Sequence, residues 1–124
     1  MTVAIMGPEI DKSALIIVDM QNDFVHPDGG FACIARENPE AGIDMPFIMG
    51  TIPQVRRLAA AFREVGRPVI YIAHVLKPDY SDAQCPYWRI GISPGDNRTF
   101  VVQGTWRAQI VDGLKPKESA HLVV

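Results

Sequence analysis

The run "ALIIVDMQNDF", Ala14 to Phe24, constrains this chain more than any other stretch. Five apolar residues, Ala14 to Val18, arrive without a polar interruption and end on an acid at Asp19. A strand with one wet face alternates apolar and polar residues. A continuous Ile- and Val-rich run predicts instead a parallel strand covered by helices on both faces. Parallel strands need a long crossover, so the chain has to supply a helix and a second buried strand.

Both are legible. "TIPQVRRLAAAFREVG" offers Thr51 as N-cap, Gln54 as capping-box partner and Pro53 in the first turn. Val55, Leu58, Ala59, Phe62 and Val65 then share one helical face, and Gly66 followed by Pro68 ends the helix. "PVIYIAH", Pro68 to His74, is the second buried-strand pattern. Strand, helix and strand in that order imply a right-handed crossover and a parallel sheet. The segment from His26 to Met45 reads as a loop rich in Gly, Pro and Asp, and "VLKPDYSDAQCPYWRIGISPGDNRTF" as a second, longer one. "GTWRAQIVDGL" predicts a short helix capped by Thr105, with Trp106, Ile110 and Leu114 inward, and "HLVV" opens a third strand.

The fold class is therefore α/β, a Rossmann-like doubly wound parallel sheet. Such a sheet normally has five or six strands, and only two and the start of a third are visible. A buried strand ending on a free carboxylate is expected to continue. Residues 1–124 accordingly read as the first part of one larger domain, with its remainder expected on a companion fragment.

Composition removes other classes. The 124 residues are 48% hydrophobic with a net charge of −2, which gives no electrostatic footprint for nucleic acid. The arginines of "VRRLAAAFREVGR" read as the solvated side of a helix. No apolar run is long enough to cross a bilayer, and the N-terminus lacks the pattern of a signal peptide. Two cysteines, Cys33 and Cys85, are too few for a disulfide framework, so a cytoplasmic, reducing setting is expected.

In open parallel sheets the ligand crevice lies outside the carboxyl ends of the strands. Asp19 and His74 both stand there. A carboxylate at that point either exchanges protons with a substrate or caps the turn that follows. Gln21 is a candidate to hold that carboxylate or a substrate amide, with turn bonding as the alternative. Phe24 is a candidate for the crevice wall or for the core. Trp88, with Tyr87 and Arg89, sits on the long loop, where it either closes over a small planar substrate or packs the loop. His74 lacks partners at metal-ligand spacing in "AHVLKPD", so no metal and no cofactor is assigned. Cys33 and Cys85 read as loop thiols.

"ALIIVDMQNDFVHPDGGFA" closely resembles the opening motif of the isochorismatase-like cysteine hydrolases, which include nicotinamidases, isochorismatases, N-carbamoylsarcosine amidohydrolases and ureidoacrylate amidohydrolases. "RPVIYIAHV" is similar to that family's second strand, and "VQGTWRAQIVDGLKPKESAHLVV" to the approach to its third. The likeness runs from Ser13 onward. It implies the isochorismatase-like hydrolase fold, incomplete in this chain, and an Asp, Lys, Cys triad whose aspartate maps onto Asp19. The family's lysine would follow "HLVV" and its cysteine lies further on. Lys115 and Lys117 precede the strand and do not match.

The resemblance implies hydrolysis of a small amide, carbamoyl or ureido compound, because "TWRAQIVDGLKP" is closer to the amidohydrolase branch. Two alternatives stay open. One is an isochorismate-type vinyl-ether hydrolase with Asp19 as general acid. The other is a non-catalytic module that associates with a partner chain. An open strand edge makes a homo-oligomer the expected assembly.

Overall fold

In the computed structural model, which describes residues 9–83, 100–117 and 120–124, the opening apolar run forms β1, Leu15–Val18. The chain continues through a single turn of helix, α1 (Asn22–Val25), then α2 (Gly30–Glu37), the long α3 (Met45–Glu64) and β2 (Val69–Ile72). Two 3-10 turns, Trp106–Ala108 and Asp112–Leu114, precede β3 (His121–Val123). The sheet is parallel in the order β1-β2-β3. Leu15 pairs with Val69 and Val18 with Ile72, so both strands end at the same level. The α/β class and the strand, helix, strand crossover follow the apolar pattern.

α3 starts two turns earlier than its internal capping signal suggests. Asp44 is the N-cap, its carboxylate accepting from the Phe47 N–H at 3.0 Å, with Pro46 in the first turn. Thr51 lies inside the helix and its hydroxyl donates back to the Ile48 carbonyl at 2.6 Å. Pro53 is also internal. The correction has a packing cause: the apolar stripe is Ile48, Ile52, Val55, Ala59 and Phe62, and it lies against the sheet core of Ile17, Val69 and Tyr71. Burial of the two extra turns outweighs the helix bond that Pro53 forfeits. Leu58 and Val65, expected inward, are 48% and 56% exposed.

The helix does end as expected. Gly66 takes a φ of +69°, the Arg67 N–H donates to the Phe62 carbonyl and the Gly66 N–H to that of Arg63. This is the paired bonding of a Schellman stop.

Two further expectations are overturned. The presumed loop after His26 contains α2, which closes on α1 through glycines: a Cβ on Gly29 would stand 2.0 Å from the Asn22 carbonyl oxygen. The presumed helix in "GTWRAQIVDGL" is replaced by the two 3-10 turns, and Trp106 is left 42% exposed while Ile110 and Leu114 are buried. Its backbone is engaged elsewhere: the Gln109 carbonyl accepts from the Asn22 N–H and the Val111 N–H donates to Met20, both at 2.9 Å. Long-range bonds displace the local helical ones.

α3 covers the sheet face that carries Ile17 and Tyr71. On the opposite face Ile16 and Val18 are more than half exposed, so among the described residues β1 is covered on one side and not on both.

Candidate active site at the carboxyl ends of the strands

Asp19 is the first residue past β1, and its N–H still donates to the Ile72 carbonyl at 2.9 Å. The ladder therefore holds it on one side. Its φ is +55°, a left-handed conformation that Asp tolerates better than most residues. The chain leaves the sheet sharply at this point. Asp19 is half-buried at the carboxyl end of β1, the end at which ligands bind in open parallel sheets.

Gln21 is fully buried. Its Nε2 donates to the His74 carbonyl at 2.8 Å and to the Ala108 carbonyl at 2.7 Å, while its Oε1 accepts from the His74 N–H at 2.8 Å. Both polar groups of the His74 backbone thus pair with one side chain, as they would with a neighbouring strand. The amide is committed to main chain, which is a different use from gripping a substrate. His74 itself is half-buried beside it.

Phe24 packs edge-on against Phe31 at 5.1 Å and Phe100 at 5.2 Å, joining the sheet core to a second apolar cluster around Leu76 and Val101. Phe24 is itself only partly buried, packed against both clusters. Trp88, with Cys85, Tyr87 and Arg89, lies outside the described residues. Cys33 sits on α2, away from β1, and its Sγ accepts from Arg36 at 3.3 Å. Lys115 is paired with exposed Asp112 at 2.7 Å; that hydrogen bond, and then the lysine charge, hold the Asp112 carboxyl below its usual range. Next to the strand ends, Ala73, Val75, Thr105, Ala108, Ile110 and Leu122 line an apolar hollow of about 400 Å³.

Sequence reasoning passed over two neighbours of Gln21. Asn22, 1% exposed, donates through Nδ2 to the Trp106 carbonyl at 2.8 Å. Asp23 is completely buried and accepts three hydrogen bonds: from the Gly30 N–H (2.8 Å) and Arg107 Nη1 (2.9 Å) on Oδ1, and from the Val101 N–H (2.6 Å) on Oδ2. The only available signal was a second acid in the motif and a distant arginine. Nothing in the spacing couples residues 84 positions apart.

Residues 13–124 match the isochorismatase domain. The chain belongs to the isochorismatase family. A family member of known structure from Desulfovibrio vulgaris subsp. vulgaris str. Hildenborough is 34% identical, with a TM-score of 0.66 over 90% of this chain and 50% of that one. The N-carbamoylsarcosine amidase of Thermoplasma acidophilum is 25% identical, with a TM-score of 0.59 over 88% of this chain and 49% of the other. Among sequences, the ureidoacrylate amidohydrolase RutB of Methylorubrum extorquens is 29% identical over 88% of this chain and 45% of its own length. This isochorismatase-family chain spans about half the length of the curated relatives it matches. Among the described residues, no helix is long and apolar enough to cross a membrane.

Proposed function

We propose that this chain is the N-terminal part of a hydrolase domain that cleaves a C–N bond in a small amide, carbamoyl or ureido compound, with Asp19 as the proton-transfer group. The observation that supports the reading is Asp19 itself, the first residue past β1, at φ +55° in an isochorismatase-family sheet. The amidase and amidohydrolase names among its relatives support the choice of bond.

In this reading Asp19 accepts the proton of a cysteine thiol, and a lysine cation stabilises the charges; both residues are placed outside the 124 residues, on a companion segment. The thiolate attacks the substrate carbonyl. Collapse of the adduct breaks the C–N bond, and the departing nitrogen takes the proton back from Asp19. Water then cleaves the thioester, with Asp19 again as the base and the thiol as leaving group. Gln21 acts by holding the His74 backbone across the strand ends, Phe24 by fixing the wall behind α1, and His74 and Trp88 are assigned to the substrate side. No cofactor is invoked. A cytoplasmic, homo-oligomeric enzyme completes the proposal; among the described residues β1 and β3 are the edge strands of the sheet.

The test is a panel of amide, carbamoyl, ureido and vinyl-ether compounds assayed with the full-length protein and with its Asp19→Asn variant. Asparagine keeps the shape but cannot take a proton, so kcat/KM for a C–N substrate should fall by about 10²-fold to 10⁴-fold with the circular dichroism unchanged. Turnover confined to the vinyl ether would favour the isochorismate-type reading, and parent-like activity in Asp19→Asn would remove Asp19 from the chemistry.

A further inference from the structure

We infer that Asp23 is a positioning residue for Asp19, acting through the segment 100–111; the inference rests on the catalytic reading of Asp19. Four consecutive residues after Asp19 latch onto that one segment. The Met20 carbonyl accepts from the Val111 N–H, and Gln21 pairs across to Ile110 while its side chain reaches Ala108. Asn22 is held twice, by Gln109 through its N–H and by Trp106 through its side chain. Asp23 closes the set by binding Val101 and Arg107.

The last contact differs in kind from the others. Met20, Gln21 and Asn22 meet carbonyl and amide groups that many backbones could offer. Asp23 presents two oxygens to three donors in a site with no access to water, so it demands an acceptor on both sides. It also holds the N–H of Val101, a β-branched residue at φ +44° whose carbonyl accepts from the Leu76 N–H. With Val101 and Arg107 fixed, the carbonyls of Trp106, Ala108 and Gln109 fall where residues 21 and 22 need them. Those residues in turn determine how the chain leaves Asp19, whose other side is already tied to Ile72. The carboxylate of Asp19 is thereby aimed from both ends, by the sheet and by the clasp.

Asp23→Asn tests this without changing volume, because one end of the amide must then present N–H groups to N–H groups. Two readouts separate aiming from mere stability: kinetics on the full-length protein corrected for the folded fraction, and amide hydrogen exchange at Asp19 and Asn22. The expected result is a kcat lower by about 10-fold or more with KM changed by less than about 3-fold, since a displaced acid-base group costs turnover more than binding. Exchange at both amides should quicken. Arg107→Lys should recover most of the activity that Arg107→Met loses. Should Asp23→Asn not fold, Arg107→Met, which removes one of the three donors, carries the same two readouts. Parent-like kcat on the folded protein, or unchanged protection at Asp19 and Asn22, would each overturn the inference. Asp19→Asn is run in parallel: if that variant stays active the proposed function falls, while the exchange data still judge the clasp.

Discussion

The side-chain amide of Gln21 pairs with both main-chain groups of His74, a residue 53 positions away. β1 and β2 are in register up to Val18 and Ile72. Beyond that level Asp19 keeps one ladder bond and Gln21 replaces the rest. The sheet stays joined where its strands have stopped.

Gln21→Ala should therefore be among the more destabilising single changes in the chain. It removes the Gln21 bonds to the part-buried His74 N–H and carbonyl and to the buried Ala108 carbonyl, and a buried group left unpaired costs about 1–3 kcal/mol. Allowing for water entering the gap, a total of about 3 kcal/mol is expected. A urea titration should show a lower midpoint with an unchanged slope.

The two capping signals of α3 give opposite expectations. Asp44→Ala removes the acceptor for the Phe47 N–H and should cost about 1 kcal/mol. Thr51→Ala removes a hydroxyl that only bonds back to its own helix, and should stay within about 0.5 kcal/mol of the parent. Equal losses in thermal melts would return the helix start to Thr51.

A local titration is also defined. Asp112 is held below its ordinary carboxylate range by the Lys115 hydrogen bond and charge. A lowered folded value means that this pair's stabilisation is complete above the unfolded carboxylate value and is lost as pH falls through the folded one. Carboxyl NMR shifts should show the Asp112 midpoint rising in Lys115→Met. A midpoint that does not move would dissociate the pair in solution.

What the sequence disclosed and what it hid divide along one physical line. The strands were legible because Ile17, Val69 and Tyr71 belong to short apolar runs whose burial is written in adjacent residues. The place of Asp19 at the strand end was legible because it interrupts such a run. The start of α3 was misplaced because Thr51, Pro53 and Gln54 form a valid local signal that Met45 and Ile48 outweigh by packing. α2 was missed because Gly29 and Gly30 look like loop residues but are there for close approach to Asn22 and Phe100. The clasp was invisible because its bonds join residues 78 to 91 positions apart, and a single sequence carries no trace of such pairing.

Val101 has a consequence for the order in which the molecule assembles. A valine in the left-handed region carries strain of about 1–3 kcal/mol, which the Val101 segment alone has no means of offsetting. Its carbonyl is held by the Leu76 N–H, and the partner of its own N–H, Asp23, comes from the first strand-turn unit 78 residues earlier. Closing so long a loop costs chain entropy before the contact returns anything. The shorter-range bonds to Leu76 and Tyr80 can form first, and the link from Val101 to the turn after Asp19 is the contact with the longest loop to close.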